Sequence, residues 1–315
     1  MKLNRSRRRF MVGSAAAAGL MAAGKSALFA APPLADDAGR MSIARWKGVA
    51  NPSPEQIGKI AERLTEKALE GLGGIERFVR KGAVVFIKPN MSWDRTPELA
   101  ANTNPDVIAT IVRKCLEAGA KTVRIGDNSC NPAAKAYAAS GIAEAAKKLG
   151  AEILTLDKTR FVETEIRGEL IKSIPIHPQT LECDLLINVP VVKHHRLTKL
   201  TACMKNCMGI IENRQKFHQN VPACLVDLAK FLRPPLCVLD AVRILTANGP
   251  TGGNPADVQT KLTVAAGVDA VALDAWGAEV LGLKAGEVGS VVAGEKAGLG
   301  SSDYRSLSPK EIDVA

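Results

Sequence analysis

Between residues 80 and 285 the chain alternates short apolar runs with longer segments of helical period. The runs Ala83–Ile87, Thr122–Ile125, Glu152–Leu156, Leu185–Val189, Leu236–Leu239 and Leu262–Ala265 are four or five residues long and rich in branched side chains, which predicts buried strands. Between them lie stretches with apolar residues every three or four positions. These predict helices over Pro54–Leu72, from Pro105 (capped by Asn104) to about Leu116, over Pro132–Leu149 with a break near Ser140-Gly141, over Val221–Phe231, and over Asp269–Leu281. Residues 160–180 alternate loosely and predict a small antiparallel excursion, and the polar tail after Gly298 predicts a mobile end. Strands alternating with helices give an α/β fold, a mostly parallel sheet with flanking helices. Residues 36–315 read as a single domain.

In such sheets ligands sit beyond the carboxyl ends of the strands. The predicted strands end in Lys88/Asn90, Asp127/Asn128, Asp157, Lys193/His195 and Asp240, and Cys130 falls on the same rim. Charged residues at most strand ends point to one shared site.

Residues 187–218, INVPVVKHHRLTKLTACMKNCMGIIENRQKFH, concentrate this chemistry and hold three of the four histidines. In an extended chain Lys193 and His195 point the same way, with His194 opposed. A histidine titrating near neutrality beside a lysine suits proton transfer or anion binding. Read as a helix at 100° per residue, Leu197–Gly209 places Leu197, Leu200, Met204 and Met208 on one stripe. Thr198, Thr201 and Lys205 then share a polar face suited to a carboxylate or phosphate. Cys203 and Cys207, four apart, suit either core packing or ligation of a metal or iron–sulfur cluster. The loop Asn248–Asn254 matches no phosphate-binding fingerprint, although Asn248 and Gly249 could border the site.

The formal charge of +10 rests partly on the first 35 residues, which hold six bases and no acid, so the remainder carries 36 minus 32, or +4. With aromatics at 4%, this argues against nucleic acid as a partner. Ser6-Arg7-Arg8-Arg9-Phe10-Met11, followed by an apolar stretch too short to span a bilayer, predicts a twin-arginine leader. The expected partners are therefore the export machinery and a small anionic molecule. The expected location is periplasmic or extracellular, with no membrane anchor after cleavage. Seven cysteines scattered through apolar contexts do not form a disulfide framework.

Lys88-Pro89-Asn90, Gly126-Asp127, Lys193-x-His195, Thr201-x3-Lys205-Asn206-x2-Gly209, Asn248-Gly249-Pro250 and the segment Ala266–Ala275 resemble the domain-of-unknown-function 362 family. The resemblance implies the fold unit and the site. Proteins of this kind are often described as iron–sulfur or twin-arginine exported proteins, and some carry a fused ferredoxin module, whose closely spaced cysteine run does not occur in these 315 residues. The leading expectation is a metal- or cofactor-assisted redox enzyme acting on a small anion. Lys193, His195 and Lys205 would be catalytic, and Asp127 and Asp240 would ligate a divalent metal. Lys88, Asn90, Thr198, Thr201, Asn206, Asn248 and Gly249 would bind substrate. The alternatives are a ligand-binding or delivery protein without turnover, and a non-redox isomerase or racemase using Lys/His proton transfer.

Overall fold

The structure, a computed structural model, describes residues 39–315; the predicted leader lies outside them. Its strands are β1 (Met41–Trp46), β2 (Val84–Pro89), β3 (Thr122–Asp127), β4 (Glu152–Thr155), β5 (Val162–Glu165), β6 (Ser173–Ile176), β7 (Leu185–Val189), β8 (Val191–His195), β9 (Lys199–Thr201), β10 (Leu236–Leu245), β11 (Val258–Gly267) and β12 (Lys310–Val314). The central sheet runs β12-β1-β11-β10-β7-β2-β3-β4, with the β8–β9 hairpin attached through β10. The strands β10-β7-β2-β3-β4 are parallel, and β11 runs against both its neighbours. The expected α/β fold is thus present, and the excursion near residues 160–180 is the antiparallel pair β5–β6.

Both faces of the central strands β2 and β7 are buried. Phe86 and Leu186 belong to the core shared with the helices Val221–Leu232 and Ala270–Val280. Val85, Ile87, Leu185 and Ile187 belong to the opposite core, under the helices Pro54–Gly71 and Pro105–Glu117. A strand covered on both faces reads as an unbroken apolar run, which is why these elements stand out in the sequence. The capping signals also hold. Asn104 accepts from the N–H of Asp106 at 2.8 Å, and the Pro132–Leu149 segment is two helices, Ala133–Ala139 and Ile142–Lys148, separated at Gly141 with φ +72°.

Three expectations are corrected. The strand expected to stop at Asp240 continues to Leu245, because its second half pairs with an equally long β11. The tail returns to the sheet as β12, parallel to β1. The Leu197–Gly209 segment is not one helix. It turns back as β9, pairing Lys199 with His195 and Thr201 with Lys193. Helix then begins only at Cys203, where the buried carboxylate of Asp274 accepts the N–H groups of Cys203 (2.5 Å) and Met204 (3.1 Å), and it covers Cys203–Asn206. A carboxylate fixed on a neighbouring helix thus takes the place of a local cap.

From β2 the sheet grows one way through β3 and β4, and the other way through β7 and β10. The carboxyl ends of β2 and β7 therefore flank the point where strand order reverses, the usual place for a crevice in an open α/β sheet.

Candidate functional site

A cavity of about 260 Å³ opens at that point. β2 delivers Lys88 and, just beyond it, Asn90. Asp127 comes from β3, Lys193 and His195 from β8, and Thr201 from β9. The short helix carries Lys205 and Asn206, and Arg214 closes the far side. Four permanently or potentially cationic chains, Lys88, Lys193, Lys205 and Arg214, thus meet one carboxylate, Asp127.

That carboxylate is already engaged. Asp127 Oδ2 accepts from the Met91 N–H and the Ser92 hydroxyl, both at 2.8 Å. Its Oδ1 lies 3.0 Å from Lys88 Nζ and has no other donor, a contact that is electrostatic rather than a well-aligned hydrogen bond. Lys88 also donates to the carbonyl of Pro89 and to Asn206 Oδ1, and burial holds its ammonium below the ordinary lysine range while Asp127 opposes that shift. Asn206 ties the ends of β2 and β7 together. It accepts from Asn90 Nδ2 at 3.1 Å and donates to the Lys88 carbonyl at 3.1 Å and to Asn188 Oδ1 at 2.8 Å.

Gly209 shuts the backbone over the ion pair. A methyl group there would sit 2.0 Å from Asp127 Oδ1 and 2.3 Å from Lys88 Cε. The glycine in Lys205-Asn206-x2-Gly209 is therefore a steric requirement. Gly209→Ala is expected to cost about 3 kcal/mol, the upper end of overpacking, because neither member of a buried pair can withdraw. A denaturant midpoint unchanged from the parent would contradict this.

The ammonium of Lys193 has three acceptors: Asn90 Oδ1 at 3.0 Å, the Ala101 carbonyl, and the Pro250 carbonyl at 3.3 Å. It also lies 5.7 Å from the centre of the Trp93 ring. Burial, aided by the neighbouring cations, lowers it to about 7. Lys205 is less satisfied, with only the Met208 sulfur at 3.8 Å, and burial lowers it to about 8. Burial, then Lys205 and Lys193, lowers His195 to about 3. Its Nδ1 accepts the N–H groups of Leu197 (3.2 Å) and Thr198 (3.4 Å), so the neutral ring carries its proton on Nε2.

Two further donors lack partners. Thr201 Oγ1 is buried without a hydrogen bond, and so is Arg214 Nε, although Arg214 Nη1 reaches the Cys130 sulfur at 3.2 Å and Nη2 donates to the Asn128 carbonyl. Buried donors left unmade are costly, and three such groups around one cavity mark a place for an acceptor-rich ligand.

Lys88, Asn90, Asp127, Lys193, His195, Thr198, Thr201, Lys205 and Asn206 are thus brought together, with Cys130 at the rim. Thr198 is already engaged, donating to the Leu200 carbonyl at 3.0 Å. Other candidates lie elsewhere. Asp240 is buried beneath the neighbouring helix start, where it accepts from the Asn104 N–H (2.7 Å) and the Val242 N–H (2.9 Å); burial raises it to about 6. Asp157 caps a turn by accepting from the Thr159 N–H. Asn248 is exposed and donates to Asp257 at 2.8 Å. Gly249 packs against the β8–β9 hairpin, its N–H donating to His194 Nδ1 at 3.1 Å, and of that loop Pro250 reaches the cavity.

Cys203 and Cys207 lie in the apolar core, where burial raises both thiols well above their ordinary range. Among the described residues no group of three or more His, Cys, Asp or Glu is placed to hold a metal ion. With Asp127 and Asp240 taken by N–H groups and Lys88, these residues do not fit a divalent metal or an iron–sulfur cluster. Cys203→Ala or Cys207→Ala is expected to cost on the order of 1 kcal/mol and to leave ligand binding intact. Loss of a visible absorption band in both variants would overturn that assignment.

Sequence reasoning missed Arg214, Trp93 and Asp274. Arg214 sits in the polar run Glu212–Lys216, which reads as solvated surface, and Trp93 and Asp274 carry no local signal of a site.

A thylakoid-associated protein of Synechocystis sp. is 28% identical over 241 residues, 73% of each chain. The lactate racemase apoprotein of Thermoanaerobacterium thermosaccharolyticum superposes with a TM-score of 0.47 at 14% identity, over 78% of this chain and 58% of that one. The family model described as domain of unknown function 362 matches residues 85–279. Matched over more than half its length, the chain belongs to the domain-of-unknown-function 362 family.

Proposed function

We propose that the cavity binds a small organic anion and that the protein acts on it by proton transfer, as a non-redox isomerase or racemase. One observation carries this reading: Thr201 Oγ1, Arg214 Nε and the Lys205 ammonium lack oxygen partners around a cavity whose single carboxylate is held by Lys88. An anion's oxygens would satisfy all three. Lys205, lowered to about 8 by burial and without an oxygen partner, is the amine free to exchange a proton with a ligand. Lys193, already surrounded by three oxygens, contributes charge, and His195 donates from Nε2.

The test is incubation with small 2-hydroxy and 2-amino carboxylates in D2O, followed by mass spectrometry. Deuterium at a carbon without net oxidation is the expected result. The saturation of Lys193 and the pinned ring of His195 favour a second reading, a ligand-binding or delivery protein without turnover. Tight binding of one of these anions with no exchange would replace the first reading by the second. From Ser6-Arg7-Arg8-Arg9-Phe10-Met11 we also propose twin-arginine export, placing the protein in the periplasm or outside the cell. Retention of the full chain in the cytoplasm after Arg7→Lys/Arg8→Lys would support that route, whereas unchanged export would refute it.

A further inference from the structure

Beside its charged and polar groups, the cavity is lined by the apolar side chains of Trp93, Leu197, Met208, Val221 and Pro250. Val221 is buried and Trp93, Met208 and Pro250 are half-buried, but Leu197 is 63% exposed at the turn between β8 and β9. These apolar groups are interleaved with the charged ones. Met208 Sδ is 3.8 Å from Lys205 Nζ, and the Trp93 ring is 5.7 Å from Lys193 Nζ. A site for a wholly polar anion such as phosphate would surround it with donors on every side. This cavity offers free donors from Thr201, Lys205 and Arg214 on one side, with the Nε2–H of His195, and carbon and sulfur over much of the rest.

Resting on the anion-site reading above, we infer that the ligand is a monocarboxylate carrying a compact apolar body. Its carboxylate meets Thr201, Lys205 and Arg214, and its hydrocarbon part packs on Trp93, Met208 and Leu197. The exposure of Leu197 then has a physical reason, since a bound hydrocarbon group removes that surface from water. At about 260 Å³ the cavity lies below the ~300–1,000 Å³ of sites for drug-sized molecules, so the apolar part is short. Leu197 and Trp93 become specificity-determining residues, because they reward carbon and offer nothing to a second charged group.

Calorimetric titration of the intact protein at pH 7 and fixed ionic strength separates the possibilities. The ligands are acetate, propanoate, butanoate and hexanoate, with inorganic phosphate as the control lacking carbon. Affinity is expected to rise about fourfold per methylene from acetate to butanoate, the increment for burying one CH2, and to exceed that of phosphate by butanoate. Leu197→Ser, at an exposed turn position, is expected to reduce the increment below twofold. Phosphate binding with affinities flat across the carboxylates would overturn this inference and leave the anion site standing. Binding of neither phosphate nor any carboxylate would overturn both. An undiminished increment in Leu197→Ser would remove Leu197 from the site.

Discussion

Lys88→Met is expected to lower the free energy of unfolding by about 3–5 kcal/mol, the usual cost of removing one member of a buried ion pair. Lys88 and Asp127 are each 1% exposed, and Asp127 Oδ1 has no donor besides that ammonium. Methionine keeps most of the volume of the chain but leaves a carboxylate in the interior with its charge unmatched. For a chain of this size the melting temperature should fall by roughly 6–20 °C. Combining Lys88→Met with Asp127→Asn should recover part of the loss, because the charge left behind is then gone. Denaturant unfolding of the single and double variants checks both statements. A single-variant cost under about 1 kcal/mol would mean that the pair does not hold β2 to β3 in the way the geometry implies.

Lys205→Ala is expected to weaken binding of a small carboxylate by roughly 10- to 100-fold, the range for losing a charge-assisted hydrogen bond, while the fold tolerates the change. The ammonium has no oxygen partner to leave behind, only the Met208 sulfur. The same residue sets a pH dependence. An anion prefers the protonated amines, so affinity should be greatest below pH 7 and fall as pH rises through the Lys193 value near 7 and the Lys205 value near 8. Binding in that window should take up protons. In Lys205→Ala the part of the fall near pH 8 should vanish, and in Lys205→Arg, whose charge persists, only the fall near pH 7 due to Lys193 should remain, with no further loss up to pH 9. Titrations at several pH values in buffers of different ionisation enthalpy measure affinity and proton uptake together. A wild-type affinity independent of pH between 6 and 9 would exclude these lysines as the anion's partners.

Much of the site was legible because parallel strands bring their carboxyl ends to one edge. Lys88, Asn90, Asp127, Lys193 and His195 all follow apolar runs, so their convergence follows from strand direction alone. The same reasoning went wrong at Asp157 and Asp240. A carboxylate after a strand can equally well hold a nearby turn or helix start, and which it does depends on the N–H groups brought to it. Asp240 meets the N–H of Asn104, 136 positions earlier in the chain. The 187–218 stretch shows the same division. Its polar spacing resembled a helix, yet Thr201 and Lys205 reach the cavity through a hairpin strand and a four-residue helix.

The sequence by itself determined the alternation of strands and helices, since a strand buried on both faces must be apolar throughout and a helix lying on a sheet must be apolar at its own period. It also determined the helix starts where the capping side chain is local, at Ser53 and Asn104. Only the tertiary structure decided what depends on groups distant in the chain. The short helix starts at Cys203 because Asp274 meets it there, 71 positions away. Cys203 and Cys207 became core rather than ligands because β10 and the Ala270–Val280 helix cover them with hydrocarbon. The carboxylate of Asp127 is given to Lys88, which leaves Lys205 and Arg214 facing an open space. Charge in an interior is settled by what stands within a few ångströms of it, and those neighbours are chosen by the fold rather than by adjacency in sequence.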